Sequence, residues 1–80
     1  MMAILELHKI LLFHRRQAGL TRNELAELAG VGKTVIFDLE KGKNTVKLST
    51  VLKVLEALNI DIKLQSPLME EYEKSDNKNT

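Results

Sequence analysis

The stretch TRNELAELAGVGKTVIFDLEKG, residues 21–42, decides the fold of this 80-residue chain. Thr21 is followed three residues later by Glu24, which is the pattern of a capping box, where each side chain satisfies an amide of a new helix. Apolar residues at helical spacing follow, until Gly30, which tolerates positive φ, interrupts them. The stretch therefore predicts a short helix that begins at about Thr21 and ends just before Gly30.

A second short helix is predicted over about residues 33–41, with Gly32 as its N-cap and Gly42 at the usual stop position. Two helices that cross steeply need a small residue where their backbones approach, and Ala26 supplies it. Further apolar residues complete a wedge that would fix the angle between the helices: Leu25, Ala29, Val31, Ile36 and Leu39. Such a helix-turn-helix can place its second helix in the major groove of DNA.

Amphipathic helices are predicted on both sides of this pair. Residues 3–17 form the first helix, whose core-facing residues recur at helical spacing: Ile4, Leu7 and Leu11. In the second helix, Leu25 and Leu28 are expected to face inward. Residues 48–58 form a fourth helix with one apolar stripe: Leu48, Val51, Leu52, Leu55 and Leu58. Asn59 can then take a left-handed conformation and end that helix.

The hydrophobic period changes from helical to alternating after residue 59. Residues 60–65 alternate strictly, which places Ile60, Ile62 and Leu64 on one face of a half-buried strand. The chain offers no second strand, and a lone strand leaves its backbone groups without partners. We therefore expect this strand to pair with the same strand of a second copy, giving a homodimer.

Composition bounds the class of protein. The chain is 44% hydrophobic and 29% charged, as in an ordinary globular domain, and it has no cysteine, which suits the cytoplasm. Its apolar runs are too short to span a bilayer, so no membrane association is expected. The net charge of +1 combines a mildly basic folded part with an acidic end. We predict a DNA-binding domain over 1–59, a dimerisation strand over 60–66 and a disordered acidic tail over 67–80.

The helix-turn-helix stretch resembles the Xre/lambda-repressor family. The residues that carry this resemblance are the run GLTRNELAELAGV at 19–31, followed by Ile36, Leu39-Glu40 and Gly42. The resemblance covers roughly residues 4–60. It implies an all-α, lambda-repressor-like domain of four or five helices, with the one C-terminal strand added, that binds double-stranded DNA at an inverted-repeat operator as a homodimer.

The resemblance also implies roles for individual residues. The third helix would be the recognition helix, with four side chains towards base edges: Lys33, Thr34, Phe37 and Asp38. Lys33 would donate to guanine, Thr34 would bond a base or place its methyl against thymine, and Asp38 would accept from cytosine. Other residues would contact the DNA backbone and set the register: Arg22, Lys41, Lys43 and Asn44. Arg15 and Glu40 match a mostly buried ion pair that ties the first helix to the third.

Two apolar features admit more than one interpretation. Phe37 stands where the family usually has a polar residue, and it either packs partly against the domain or contacts a thymine methyl group. The first helix has more apolar residues than one core face requires, namely Leu5, Ile10, Leu12 and Phe13. Either the small domain wraps them, or some serve a dimer or partner interface.

Three further features resemble the HipB-type antitoxins, which are DNA-binding partners of HipA-type toxin kinases. These features are the segment 43–48, the fourth helix that runs straight into a strand, and the short tail. The resemblance implies a repressor of its own operon that also binds a HipA-type toxin. A stand-alone phage or host regulator without a toxin, and a protein-interaction module that has lost DNA binding, are the alternatives.

The sequence disfavours catalysis and metal binding. GVGKT at 30–34 looks like the end of a phosphate-binding loop, but Glu27 occupies the position of the first required glycine and the segment follows a helix instead of a strand. His8 and His14 lack the partners of a metal site, and the acidic tail offers no fixed pocket for a general acid or base. We therefore predict no catalytic residue, no metal and no cofactor.

Overall fold

The computed structural model describes residues 6–79, with side chains described to residue 75, and all assigned elements in this part of the chain are helices. The five helices are α1 (Leu7–Gln17), α2 (Arg22–Ala29), α3 (Lys33–Glu40), α4 (Leu48–Ala57) and α5 (Met69–Asn79). None of these helices has the length and apolar character that crossing a membrane requires. The predicted all-α architecture of four or five helices is confirmed. Residues 3–5 of the predicted first helix lie outside the described residues.

The predicted capping box starts α2. The Thr21 hydroxyl accepts a hydrogen bond from the Glu24 amide at 3.1 Å, and the Glu24 carboxylate accepts one from the Thr21 amide at 2.8 Å. The hydrogen bond from the Thr21 amide, and after it the hydrogen bond from the Thr21 side chain, lower the pKa of the Glu24 carboxyl below its ordinary value. The start of the helix-turn-helix is therefore fixed by local chemistry.

The turn between α2 and α3 depends on Gly30. Its φ of 73° lies in the left-handed region, as predicted, and its amide and that of Val31 bond back to carbonyls near the end of α2. The bond from the Val31 amide to the Ala26 carbonyl measures 3.0 Å, which is the long bond of a Schellman turn. Residues other than glycine rarely adopt this backbone conformation, so Gly30 sets the direction in which α3 leaves α2.

The core lies between α1, α2, α3 and α4. Its buried residues are Leu11, Leu25, Ala26, Ile36, Leu39, Val51, Val54 and Leu55, and Ala29 and Val31 pack partly buried against them. The predicted wedge is thus confirmed, since α2 packs against α3 and Ala26 is buried in the shared core. In α1, Ile10 and Leu12 are half-buried, whereas Phe13 is exposed and meets the His14 ring edge-on.

Three leucines that were expected to face the core are exposed: Leu28, Leu48 and Leu52. The buried side of α2 is centred on Leu25, Ala26 and Ala29, which leaves Leu28 at its edge. In α4 the buried side runs through Val51, Val54 and Leu55, so Leu48 and Leu52 flank it, and Val54 is a core residue that the predicted stripe omitted. The expected inward positions of these three leucines were wrong because short helices bury only one narrow face.

Residues 60–66 follow the end of α4 and belong to no helix or strand. Asn59 has the predicted left-handed φ of 59°, and the Ile60 amide bonds the Leu55 carbonyl at 2.9 Å. Ile60 is half-buried, whereas Ile62 and Leu64 are exposed. Since a strand is defined by its paired neighbour, the dimerisation strand stays a prediction.

The C-terminal region differs from its predicted disorder. The structure describes a helix, α5, in place of an irregular tail, and its side chains to residue 75 are exposed except for that of Met69, which is partly covered. Glu70 and Lys74 form an i,i+4 pair at 3.6 Å, and glutamate and lysine are good helix formers. Low hydrophobicity prevents this segment from joining the core, but local propensity favours a helix.

Leu25 and Leu28 provide a matched test of the core, since the same residue type occurs twice on α2. Leu25 is 1% exposed and Leu28 is 63% exposed. We expect Leu25→Ala to lower the free energy of unfolding by about 2–5 kcal/mol, because it empties a buried site. Leu28→Ala should change it by less than about 0.5 kcal/mol. Urea unfolding of both variants measures the difference, and equal losses would contradict the described orientation of α2.

Candidate nucleic-acid interface

The exposed side of the helix-turn-helix is concave. The starts of α2 and α3 border an open concavity of about 600 Å³, lined by Arg15, Thr21, Arg22, Asn23, Lys33, Thr34 and Phe37. Gly32 caps α3 in an extended conformation, so Lys33 and Thr34 occupy the first turn of that helix and are exposed. The structure therefore brings together four of the predicted contact residues, Arg22, Lys33, Thr34 and Phe37.

The buried Glu40 carboxylate links α3 to residues of α1 and α2 beneath this face. Glu40, at the end of α3, has a side chain only 5% exposed, and its Oε2 accepts from Arg15 Nε at 2.5 Å. Arg15 Nη2 bonds the second carboxylate oxygen at 3.1 Å, and Arg15 Nη1 donates to the Leu20 carbonyl at 2.9 Å. The predicted ion pair is confirmed, and it is bidentate, which is the strongest geometry for guanidinium and carboxylate.

Arg22 also binds Glu40, which the sequence did not indicate. Arg22 Nε donates to Glu40 Oε1 at 2.9 Å, while the Arg22 side chain remains 47% exposed. The two residues are 18 positions apart, so no helical spacing links them. Arg22 was predicted to contact the DNA backbone, and within the described residues its Nη1 and Nη2 atoms take part in no hydrogen bond. One guanidinium can thus hold Glu40 and still face a phosphate.

Glu40 is held in its ionised form. Burial raises the pKa of its carboxyl, but hydrogen bonds and positive charge from Arg15 and Arg22 outweigh burial, so the pKa lies below its ordinary value. A carboxyl with a lowered pKa stabilises the fold above its unfolded pKa, and that stability is lost as the pH falls through the folded pKa. Acid should therefore loosen the contact that joins α1, α2 and α3.

Phe37 lies on the surface among cations. The Arg22 Cζ atom lies 5.4 Å from the centre of the Phe37 ring, and the Lys41 Nζ atom lies 4.3 Å from it. Both distances are within the range of cation–π attraction. The ring remains partly exposed. Phe37 therefore lies outside the core. To the two interpretations that the sequence allowed, the structure adds a third, in which the ring contacts the cations of Arg22 and Lys41.

Asp38 is engaged by a neighbouring lysine. Lys43 Nζ lies 3.5 Å from Asp38 Oδ2, and the Lys43 amide donates to the Asp38 carbonyl at 3.0 Å. A base contact by Asp38 would have to share its carboxylate with Lys43. Asn44 follows in an exposed turn, beside the predicted backbone-contacting residues.

The described residues contain no group of three or more histidine, aspartate or glutamate side chains placed to hold a metal ion. The polar side chains at this face are instead cations and hydroxyl or amide groups around an exposed helix end. Such an arrangement suits the phosphates and base edges of nucleic acid. Two helices packed through Ala26, turned by Gly30 and exposing the first turn of the second helix define a helix-turn-helix DNA-binding protein.

Sequence comparison assigns the family. A family model described as helix-turn-helix matches residues 14–65. An HTH-type transcriptional regulator of Sinorhizobium fredii is 43% identical over 53 residues, which are 66% of this chain and 70% of that protein. Another, of Methanothermobacter thermautotrophicus, is 42% identical over 45 residues, or 56% of this chain and 65% of that protein. The chain belongs to the Xre-type helix-turn-helix family of transcriptional regulators.

Solved structures agree with this assignment. A chain of the HipA-HipB-O2-O3 complex superposes with a TM-score of 0.72 at 26% identity, covering 80% of this chain and 90% of that one. A chain of the HipB-O4 20mer complex gives 0.71 at 26% identity with the same coverage. A chain described as MDT Protein gives 0.72 at 26% identity, again covering 80% and 90%. The HipB-like fold that the sequence suggested is therefore present.

Glu40→Gln tests the anchor beneath the interface. At neutral pH this change leaves the buried Arg15 without its counter-charge, and we expect unfolding to become easier by about 3 kcal/mol. The wild type should lose stability on acidification, whereas the variant should lack the part of that loss due to Glu40. Urea unfolding between pH 7 and pH 3 measures both effects.

Glu27→Gln is the matched control, since it removes an exposed carboxylate of α2 and should leave the free energy of unfolding at pH 7 within about 0.5 kcal/mol of the wild type. Identical pH profiles for Glu40→Gln and the wild type would contradict the role assigned to the Glu40 carboxylate.

Proposed function

We propose that this transcriptional regulator is a dimeric, sequence-specific repressor that binds an inverted-repeat operator, and that it is the antitoxin of a HipA-type toxin kinase. The observation that carries the DNA-binding part is the exposed first turn of α3, held on a rigid helix pair by the wedge and by Glu40. We further propose that the protein acts in the cytoplasm by binding alone, without catalysis.

In this proposal α3 enters the major groove. Lys33 and Thr34 project from its first turn and reach base edges, Lys33 donating to guanine and Thr34 meeting thymine or a base acceptor. Phe37 and Asp38 stand one turn further along the helix, where Asp38 could accept from cytosine while it shares Lys43. Readout of sequence therefore rests first on Lys33 and Thr34.

Contacts to the DNA backbone would surround the recognition helix. The predicted residues Arg22, Lys41, Lys43 and Asn44 are all exposed, and three of them carry positive charge. Such contacts fix register and orientation without reading sequence. Because each neutralised phosphate releases counterions, binding should weaken steeply as salt rises.

The dimer would form through the segment 60–66. Ile62 and Leu64 are exposed apolar residues in a segment of alternating hydrophobicity that has no strand partner among the described residues. Pairing of this segment with its copy would satisfy the backbone and cover those side chains together with Ile60. The resulting twofold dimer would present two recognition helices about 34 Å apart, so that operator half-sites are bound together and polymerase is blocked.

The toxin part of the proposal rests on the likeness to HipB. One of the similar solved chains comes from the HipA-HipB-O2-O3 complex, and the likeness covers 80% of this chain. The curated relatives are known as transcriptional regulators, which favours a stand-alone regulator as the second candidate. The two candidates share the DNA-binding mechanism and differ in whether a kinase joins the complex.

Co-purification separates these two candidates. If the reading frame beside this gene encodes a kinase-like protein, the two products expressed together should elute as one complex that still shifts the promoter DNA. A neighbouring kinase-like protein that elutes separately, or the absence of such a reading frame, would favour the stand-alone regulator.

Lys33→Ala tests base readout. We expect the operator affinity to fall by about 1–3 kcal/mol and the preference at one base pair to relax, because the variant lacks one donor to a base edge. Fluorescence anisotropy with operator duplexes changed at single positions measures both quantities. Lys53→Ala is the control, since Lys53 lies on α4 beside a separate hollow and should leave affinity unchanged. Equal weakening on every duplex would show that Lys33 contacts a phosphate instead.

Ile62→Asp tests the dimerisation strand. A buried carboxylate in the paired strands should dissociate the dimer, which analytical ultracentrifugation would detect as a shift to the monomer mass. Lys63→Asp is the matched control, because neighbouring strand residues point to opposite faces. An Ile62→Asp protein that still sediments as a dimer would refute pairing through this segment.

A further inference from the structure

Phe37 joins the ends of two different helices. Lys41 follows Phe37 by four residues and caps the end of α3, whereas Arg22 is the first residue of α2. Both cations approach the ring, the guanidinium at 5.4 Å and the ammonium at 4.3 Å. The negative face of an aromatic ring attracts cations, so Phe37 restrains two long side chains that would otherwise sample many rotamers.

The charges around Phe37 are not balanced within the described residues. Arg15, Arg22 and Lys41 surround this region, and Glu40 is the one carboxylate that forms a salt bridge with any of them. Lys41 forms no salt bridge among the described residues. Arg22 and Lys41 thus lie against one exposed ring, and of these two cations only Arg22 bonds the buried Glu40, which it shares with Arg15. This excess of positive charge is complementary to an external anion.

We propose that Phe37 is a positioning residue, whose ring holds the Arg22 guanidinium and the Lys41 ammonium where each meets a DNA phosphate. This inference rests on the proposed DNA-binding function. It assigns Phe37 to the backbone contacts and not to base readout. The thymine-methyl contact that the sequence allowed is disfavoured, since the cations lie over the ring through which such a contact would be made.

The two roles predict different patterns of affinity. Removal of a thymine-methyl contact lowers affinity only for duplexes that carry that thymine. Removal of cation positioning lowers affinity equally for operator and unrelated duplexes. It also reduces the slope of log affinity against log salt by about 0.9 for each phosphate that the protein no longer neutralises.

Phe37→Leu and Phe37→Tyr are the variants that test this proposal. Leucine keeps an apolar side chain but removes the ring, whereas tyrosine keeps the ring face. We expect Phe37→Leu to bind both operator and unrelated duplexes about tenfold more weakly, because two long side chains that the ring restrains must then be ordered when DNA binds. Its salt slope should fall by about 1–2. Phe37→Tyr should restore both the affinity and the slope.

A measurement without DNA tests the stack by itself. In the wild type the Lys41 side-chain methylene protons should show upfield ring-current shifts in NMR spectra, which disappear in Phe37→Leu and persist in Phe37→Tyr. Urea unfolding of each variant separates positioning from a general loss of stability. A purely structural role would reduce stability and affinity together without changing the salt slope, and that result would overturn the proposal.

Other results of these experiments would also overturn the positioning role of Phe37. A change of preference at one base pair in Phe37→Leu would assign the residue to base readout and overturn the proposal, as would unchanged affinity. If the wild type binds no DNA under any salt condition, the proposed function fails and the phosphate role fails with it. The ring-current shifts would still report whether the cation–Phe37 stack exists, so the two failures are distinguishable.

Discussion

The Glu40 carboxylate is the constraint on which the proposed DNA-binding face depends. It lies at the end of α3 and accepts hydrogen bonds from Arg15 of α1 and Arg22 of α2. A buried carboxylate is costly unless it is paired and hydrogen-bonded, so the three helices must stay where both guanidinium groups reach it. The apolar wedge fixes how closely α2 and α3 pack, and the hydrogen bonds of Glu40 fix how the end of α3 is held against α1 and α2.

Features governed by nearest neighbours in sequence could be predicted. The Thr21 capping box, the left-handed Gly30 and the four-helix core follow from local spacing, and the structure confirms them. The limits of the buried face of each helix could not be predicted. Whether Leu28 is buried depends on where α4 lies, and the residue pattern within α2 does not contain that information. Disorder was predicted for residues 67–80 from their low hydrophobicity, which reports whether a segment can join a core. It does not exclude a local helix, which glutamate and lysine favour and to which the i,i+4 pair in α5 adds a little.

The candidate site was predictable in its members but not in their connections. The resemblance to the Xre family identified the residues around the start of α3 and paired Arg15 with Glu40. It missed the bond of Arg22 to Glu40 and the contact of Arg22 with Phe37, because these join residues 15 to 18 positions apart that come together only in the folded helix pair. The Phe37–Lys41 contact has the i,i+4 spacing of helix neighbours, and it was missed although that spacing could have indicated it. The face therefore divides into two parts: Lys33 and Thr34, exposed and without described partners, and a preorganised cluster of cations beside them.

The central claim is that the first turn of α3 and the start of α2 form the DNA-binding face. Chemical-shift mapping of the backbone amides, during titration with a duplex from the promoter of the protein's own gene, tests it most directly. The account predicts that the largest changes cluster at residues 21–23, 32–38 and 41–44, with α5 and the exposed side of α4 unaffected. Changes centred on α4 or α5, or no changes at low salt, would contradict it.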